Sequence, residues 1–437
     1  MIARYALLVA SGASLTFAFA PFGVWPVAFL ATAIALLHLK RTPKNGFLTG
    51  WLFGLGWFGA GISWVHVSIA DFGGMPLLAS VGIMLLLCAY LAFYPALAFY
   101  ATRRVFQPNW WPLALPAFWM LSEWLRSWML SGFPWLSLGY SQIDSPLAGL
   151  APVIGETGIS ALIVMLSAVL VTVPFKRAMW AAVPLYLIVF VTGFVLKDIS
   201  WTQPAGQYDV AMVQGNIKQS MRWVPEQDLP TMNKYQSLTE PLMGSDLIIW
   251  PEAAVPKLES LANGFLTEMD TNLAHNQSAL ITGIVDWNWD TDEAWNSLIV
   301  LGAKRSATGH GHYQYMHGNR YAKHHLLPVG EFVPFEDLLR PLAPLFDLPM
   351  SSFSRGGFVQ PNLQANSIHL APAICFEIAF PRQVSANVHH TTDMIVTVSN
   401  DAWFGRSHGP AQHLEIARMR ARELGRPVLR ATNNGIT

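Results

Sequence analysis

Hydrophobic and polar positions divide the chain into two halves of different kind. Residues 1 to 200 are built from long uncharged runs: Tyr5 to Leu39, Asn45 to Ala70, Phe72 to Thr102, Val105 to Ser122, Ser127 to Ile143, Thr157 to Phe175 and Ala178 to Leu196. The hydrocarbon core of a bilayer is about 30 Å thick and takes roughly 20 apolar residues per helix. The first run is long enough for two short spans, and Pro21 to Pro26 supplies the turn between them. The pattern predicts seven membrane helices, at about 4–20, 23–39, 47–70, 76–101, 110–130, 153–174 and 179–197.

From residue 208 the period changes. Short β-rich runs predict strands at Tyr208 to Gln214, Asp246 to Trp250, Ala279 to Val285, Ser297 to Leu301, Gly311 to Met316, Ile368 to Ile374, Met394 to Ser399 and Val428 to Thr432. Helical patterns fit Glu226 to Leu242, Leu258 to His275 and Ala411 to Leu424, the last stopped by Gly425 and Pro427. Such alternation predicts an α/β domain whose sheets carry helices on their outer faces. The expected division is a transmembrane domain, residues 1–200, and a globular domain, residues 201–437.

Composition sharpens this division. Only 12% of the 437 residues are charged and 52% are hydrophobic, against about 25% charged in an ordinary soluble domain. Disorder, collagen, a disulfide scaffold and nucleic-acid binding are excluded. Every second loop of the first half carries Lys or Arg, at Arg4, at Lys40, Arg41 and Lys44, at Arg103 and Arg104, and at Lys176 and Arg177, whereas the alternate loops around Pro21, around Asp71 and from Ser131 to Ala151 carry none. This is a positive-inside pattern with a cytoplasmic N-terminus, and an odd number of spans then puts residue 201 onward outside the cytoplasm. Ala18-Phe19-Ala20 resembles a signal-peptide cleavage site, but Pro21 follows it directly, so a retained first helix is expected.

Two features of the membrane half have rival readings. Gly54-Leu55-Gly56-Trp57-Phe58-Gly59 matches a dinucleotide-binding fingerprint, yet it lies inside an apolar span and lacks the strand before it. Small residues from Gly46 through Gly50, Gly54 and Gly61 instead predict close helix packing. Glu123 and Arg126, three apart in the fifth span, read either as a mutually satisfied pair or as a contact for an anionic headgroup.

Candidate chemistry lies at strand ends, where open α/β sheets bind ligands. Asp246-Leu-Ile-Ile-Trp-Pro-Glu252 puts a carboxylate just past an apolar strand, and Ile368-His-Leu-Ala-Pro-Ala-Ile-Cys375 does the same with a thiol; Lys323 lies between them in sequence. A thiol attacks as thiolate and is only a few per cent ionised at neutral pH. A carboxylate such as Glu252 can take its proton, and an ammonium such as Lys323 can stabilise the thiolate and then an oxyanion. Cys88 falls in the fourth span, so a disulfide with Cys375 is not expected. His310, His312, His317, His324 and His325 are spaced like no zinc site, and neither metal nor cofactor is expected.

Trp250-Pro-Glu252, Lys323-His-His-Leu-Leu-Pro-Val-Gly-Glu331-Phe-Val-Pro and Ile374-Cys375-Phe-Glu377 resemble, in that order, the Glu-Lys-Cys motifs of the nitrilase superfamily. Behind seven spans, and with Val213-Gln-Gly-Asn216 and Ser399-Asn-Asp-Ala-Trp-Phe-Gly405, the chain is similar to the membrane-embedded apolipoprotein N-acyltransferase family over nearly its whole length. The resemblance implies a membrane α-helical bundle joined to an α-β-β-α sandwich in a bacterial inner membrane, with the catalytic domain periplasmic and the chain monomeric. It implies Glu252 as general base, Lys323 as electrostatic stabiliser, Cys375 as nucleophile and Glu331 as a supporting carboxylate. Trp223, Phe376 and Glu377 would contact substrate. The donor would be a phospholipid, phosphatidylethanolamine being expected, and the acceptor the N-terminal diacylglyceryl-Cys of apolipoproteins, with the loops Trp64 to Met75 and Phe133 to Tyr140 as the lipid access region. Many relatives carry Tyr where Phe376 stands, and the chain stops at Asn433-Asn-Gly-Ile-Thr437, before the last strands and eighth helix that the resemblance leads one to expect. Two rival functions are a membrane-tethered amidase, in which water resolves the thioester, and a transporter, which predicts charged or broken helices at the bilayer midplane.

Overall fold

The computed structural model describes residues 2–42, 45–173, 175–222, 224–302, 313–328, 330–332 and 353–437. The chain forms two units, Met1–Trp201 with Arg406–Gly425, and Thr202–Gly405 with Arg426–Thr437.

The first unit holds helices α1 (Ile2–Ser14), α2 (Pro26–Arg41), α3 (Gly46–Gly61), α4 (Leu77–Val105), α5 (Trp111–Arg126), α6 (Ala151–Thr172) and α7 (Phe175–Lys197). By length and composition, Leu77–Val105 and Pro146–Thr172 can each cross a membrane, and Gly46–Gly61 with Val65–Phe72, bent by 57°, makes a third candidate. The glycine fingerprint lies inside α3, as the apolar pattern requires. A Cβ at Gly50 would sit 2.6 Å from the Ala96 Cα and one at Gly54 2.8 Å from the Ala92 Cα, so the backbones of α3 and α4 touch only because these positions lack side chains.

Arg126 is a structural group. Its Nη1 donates to the carbonyls of Phe133 and Trp135, both at 2.7 Å, and its Nη2 donates to the Ser137 hydroxyl at 3.0 Å and lies 3.9 Å from Glu123. The guanidinium is thus spent on fixing a loop, and the headgroup reading is set aside for the first of its two alternatives, enlarged by three backbone and side-chain oxygens. A helix from late in the chain, α11 (Gly409–Leu424), completes this unit. Its buried Gln412 accepts from the indoles of Trp64 (3.1 Å) and Trp135 (2.8 Å) and donates to the Gly61 carbonyl (2.9 Å).

The second unit contains two sheets. One has five strands in the order β1 (Val210–Met212), β2 (Leu247–Ile249), β3 (Ala279–Asn288), β4 (Glu293–Gly302) and β5 (Arg320–Ala322); the other has β6 (Leu363–Ala365), β7 (Ile368–Ile374), β8 (Met394–Ser399) and β9 (Val428–Thr432). Strands β1 to β3 are parallel to one another, as are β7 to β9. Alternation along β2 explains the layering. Leu247 and Ile249 join Ile281 and Val300 in a core shared with Leu370, Ile374, Val396 and Val398 of the other sheet. Ile248 and Trp250 point the other way, onto Met232 and Tyr235 of α8 (Pro225–Thr239) and Leu266 and Met269 of α9 (Glu259–His275). A short α10 (Pro381–Ala386) follows β7.

The expected strand from Gly311 to Met316 is not found over Tyr313 to Met316, while Gly311 and His312 lie outside the described residues. The Tyr313 and Tyr315 hydroxyls bond Glu259 and Asp286, and Met316 turns the chain with φ +62°. The strand forms instead at β5, just before Lys323.

Gln412→Leu removes the acceptor shared by two buried indoles and the donor to Gly61. Each such loss in a dry interior costs about 1–3 kcal/mol, so thermal unfolding in detergent is expected to begin several degrees lower. Arg418→Ala, which breaks the exposed pair with Asp144, is expected to leave it in place.

Candidate active site

Four strand ends and one strand interior supply the polar groups. Past β2 the ladder continues through the Trp250 N–H to the Ile281 carbonyl (2.8 Å), and the chain then leaves the sheet at Pro251-Glu252. Ala253 has φ +43°, and Gly283 lies so close beneath that a Cβ there would come within 2.8 Å of the Glu252 Cα. Past β5 comes Lys323, whose N–H donates to the carbonyl of Asn296 in β4 at 2.8 Å. Past β7 comes Cys375, in a left-handed conformation with φ +54°. A side chain pays about 1–2 kcal/mol for that backbone, and such residues concentrate at active sites where the surroundings impose them. Past β8 comes Asn400.

Lys323 is buried. Its Nζ donates to Glu331 Oε1 at 2.8 Å and to Glu252 Oε1 at 3.4 Å. Asn296 Nδ2 bridges the same two oxygens, at 2.9 Å from Glu252 and 3.0 Å from Glu331. The second Glu252 oxygen accepts from the Asn400 N–H at 3.2 Å, and the second Glu331 oxygen from the Leu327 N–H at 2.8 Å. Burial pushes Glu252 up, but the Lys323 and Arg222 cations and the Asn296 and Lys323 hydrogen bonds outweigh it and hold its carboxyl below the usual 4.5. Burial works against the Lys323 ammonium, yet Glu331, Glu252 and Cys375 raise it above 10.5. The Cys375 thiol is pushed well above 9.0, first by burial and then by Glu252, with Lys323 opposing. The resting cluster is therefore carboxylate, ammonium and neutral thiol, in which Glu252 can accept the thiol proton as sulfur attacks.

Glu377 is fully buried and has an internal task. One oxygen accepts from the N–H groups of His324 (2.8 Å) and His325 (3.0 Å) and from Gln383 (2.7 Å), the other from the Ile374 N–H (2.7 Å), and the Tyr321 hydroxyl reaches both. The expected substrate contact at Glu377 is replaced by a tie between the turn that bears Cys375 and the strand that delivers Lys323. Phe376 is also buried, its ring 5.0 Å from Phe380 and 6.1 Å from His325. Trp223, His310 and His312 lie outside the described residues. Among the described residues there is no group of three His, Cys, Asp or Glu side chains fit to hold a metal ion.

Asn296 and Asn400 were not singled out by residue type or spacing. Asn296 left one signal, a carboxamide inside the apolar run of β4, where a buried polar group must have partners.

Comparison with known proteins gives the family of the chain. Residues 11–169 match the apolipoprotein N-acyltransferase N-terminal domain family, and residues 209–437 match the carbon-nitrogen hydrolase family. The chain is 49% identical over 432 residues to the apolipoprotein N-acyltransferase of Vibrio parahaemolyticus, covering 98% of this chain and 84% of that protein. It is 42% identical to that of Pseudomonas syringae pv. tomato over 449 residues, covering 99% and 85%. Among solved structures it is similar to Saccharomyces cerevisiae Nit3 of the nitrilase superfamily, at 16% identity and TM-score 0.37, over 52% of this chain and 75% of that one.

The depressed Glu252 sets an acid limit. A carboxylate whose folded pKa lies below its unfolded one contributes stability that is complete above the unfolded value and is lost as pH falls through the folded one. With Glu252 ionised above its lowered pKa, the rate of acyl transfer is expected to stay level across neutral pH and to fall only below 4.5, as a pH–rate profile checks. Asn296→Asp puts a third carboxylate against Glu252 and Glu331 in place of their shared donor, and is expected to lower that rate about 100-fold, measured by single-turnover kinetics.

Proposed function

The chain belongs to the apolipoprotein N-acyltransferase family, and we propose that it moves its acyl group in two half-reactions through a thioester on Cys375. The observation that carries the reading is the Lys323 ammonium held between Glu252 and Glu331, with a neutral thiol at the adjoining strand end.

Cys375 sulfur attacks the ester carbonyl of a membrane phospholipid while Glu252 takes the thiol proton. Lys323 and the Phe376 N–H stabilise the oxyanion. Collapse breaks the ester C–O bond, and Glu252-H returns the proton to the departing oxygen, leaving a lysophospholipid and the acyl-enzyme. In the second half the α-amino group of a diacylglyceryl-Cys attacks the thioester carbonyl, the C–S bond breaks, and the amine proton passes through Glu252 to sulfur. The net result is one amide formed and one ester broken, with ping-pong kinetics. Glu331 keeps the ammonium in place. Trp223 contacts the acyl donor, phosphatidylethanolamine by the family resemblance.

Both substrates are lipids that stay in the bilayer, which accounts for a membrane unit on the same chain as the catalytic one. The Lys and Arg distribution of the loops supports a catalytic domain outside the cytoplasm, and the family resemblance makes the membrane the bacterial inner membrane and that side the periplasm.

Intact-mass analysis of the detergent-purified chain mixed with phosphatidylethanolamine, without acceptor, tests the mechanism. The expected result is a gain of one acyl chain, removable by hydroxylamine, present in Cys88→Ser and absent in Cys375→Ser. A diacylglyceryl peptide should then take up the acyl group at its amine. Adduct retained in Cys375→Ser would overturn the proposal, and free fatty acid in place of acylated peptide would favour a hydrolase.

A further inference from the structure

Arg222 takes no part in the steps above, yet it is tied to the base from two directions. Its Nη2 donates to the main-chain carbonyls of Glu252 (2.5 Å) and Ala253 (2.7 Å), on either side of the peptide bond where the chain takes its left-handed turn. Its own N–H donates to the Gln219 carbonyl at 3.1 Å. The Gln219 side-chain oxygen accepts from Asn400 Nδ2 at 2.6 Å, and the Asn400 N–H donates to Glu252 Oε2 at 3.2 Å. These contacts close a ring that starts at the carbonyl of Glu252 and returns to its carboxylate. Asn433 braces it, donating from Nδ2 to Asn400 Oδ1 (2.9 Å) and to the Ile217 carbonyl (2.8 Å).

We propose that Arg222 is a positioning residue for the general base, clamping both ends of Glu252 through the ring Arg222–Gln219–Asn400 and so fixing where the carboxylate meets the Cys375 thiol. A base displaced by an ångström loses about 100-fold in rate, and the turn at Ala253 needs outside support to persist. The guanidinium also has an electrostatic effect. The groups facing Glu252 are Lys323 after β5, Asn296 in β4, Asn400 after β8, Glu331 on the far side of the ammonium, Cys375 after β7 and Arg222 itself. Of the cations, Lys323 acts most strongly on Glu252 and Arg222 next. Loss of the Arg222 charge favours the protonated carboxyl and moves the acid limb to higher pH.

The inference rests on Glu252 as the base, and the test separates the two. Thioester formation is followed in the whole purified chain with phosphatidylethanolamine micelles as donor. Arg222→Gln is expected to lower the maximal rate about 100-fold, leave the half-saturating donor concentration unchanged and shift the acid limb upward. Arg222→Lys, whose ammonium can also serve two carbonyls and keeps the charge, should recover most of the rate and the original limb. Gln219→Leu, which opens the ring and spares the charge, should slow the reaction with the limb unmoved. An unchanged rate and limb in Arg222→Gln overturns the proposal, as does a loss confined to half-saturation, which would make Arg222 a donor contact, or a folded Arg222→Lys as slow as Arg222→Gln. Undiminished activity in Glu252→Gln would take down the base assignment itself, whereas an inactive Glu252→Gln beside an unaffected Arg222→Gln sinks the clamp alone.

Discussion

A lysine ammonium stripped of water is the constraint around which the catalytic unit is arranged. An isolated buried charge is prohibitively costly, and a paired one is tolerable only when its partners are themselves satisfied. Lys323 meets this condition with two carboxylates, Glu331 and Glu252, and Asn296 fills the oxygens they turn toward it. Two carboxylates around one cation leave an excess negative charge. Arg222, acting on Glu252, brings the balance to neutrality. Burial is the first reason that the Cys375 thiol rests protonated although an ammonium stands near it, and the negative charge of Glu252, which a thiolate would add to, is the second.

Such a cluster demands strand ends that hold still. Glu252, Lys323, Cys375 and Asn400 come from four strands in two sheets, so their mutual distances are set by the core those sheets share. Glu377 adds a local tie, since its carboxylate joins the Ile374 N–H before Cys375 to the His324 and His325 N–H groups after Lys323. Two left-handed residues, Cys375 and Ala253, stand at the points where the proposed nucleophile and the proposed base leave their strands. Strain is placed where orientation matters and is held there by the surrounding hydrogen bonds.

Period and strand ends made most of this legible in the sequence. Alternation located β2, β7, β8 and β9 closely, because strands buried on both faces read as continuous apolar runs bounded by turn residues. It missed β5 and β6, short strands that lack the continuous apolar run of the equally short β2, and it placed a strand at Tyr313 to Met316, where two tyrosines are held by Glu259 and Asp286 instead. Arg126 and Glu123 read as either a self-contained pair or a headgroup contact, because the loop carbonyls that take most of the guanidinium come from residues seven and nine positions on and carry no side-chain signature. For the same reason Arg222 was unremarkable in sequence: it acts on main-chain oxygens. That α11 packs with the first unit, although strands of the second unit flank it in the chain, is a tertiary fact that no local pattern encodes.

The neutral thiol also bears on the second half-reaction of the mechanism proposed above, and the steps that follow belong to that proposal. A group that is hard to ionise is a poor leaving group as its anion, so expulsion of Cys375 from the tetrahedral intermediate needs a proton delivered to sulfur as the C–S bond breaks. The attacking amine must lose a proton in the same interval. One carboxylate placed between the two can take the first proton and give the second, and Glu252 is held for this by a lysine, an asparagine side chain and a backbone N–H. Water can use the same relay, so selectivity for the amine is not contained in the charge cluster. It has to come from what is admitted to the thioester, and an acceptor that already carries two acyl chains is concentrated by the bilayer in a way that water is not.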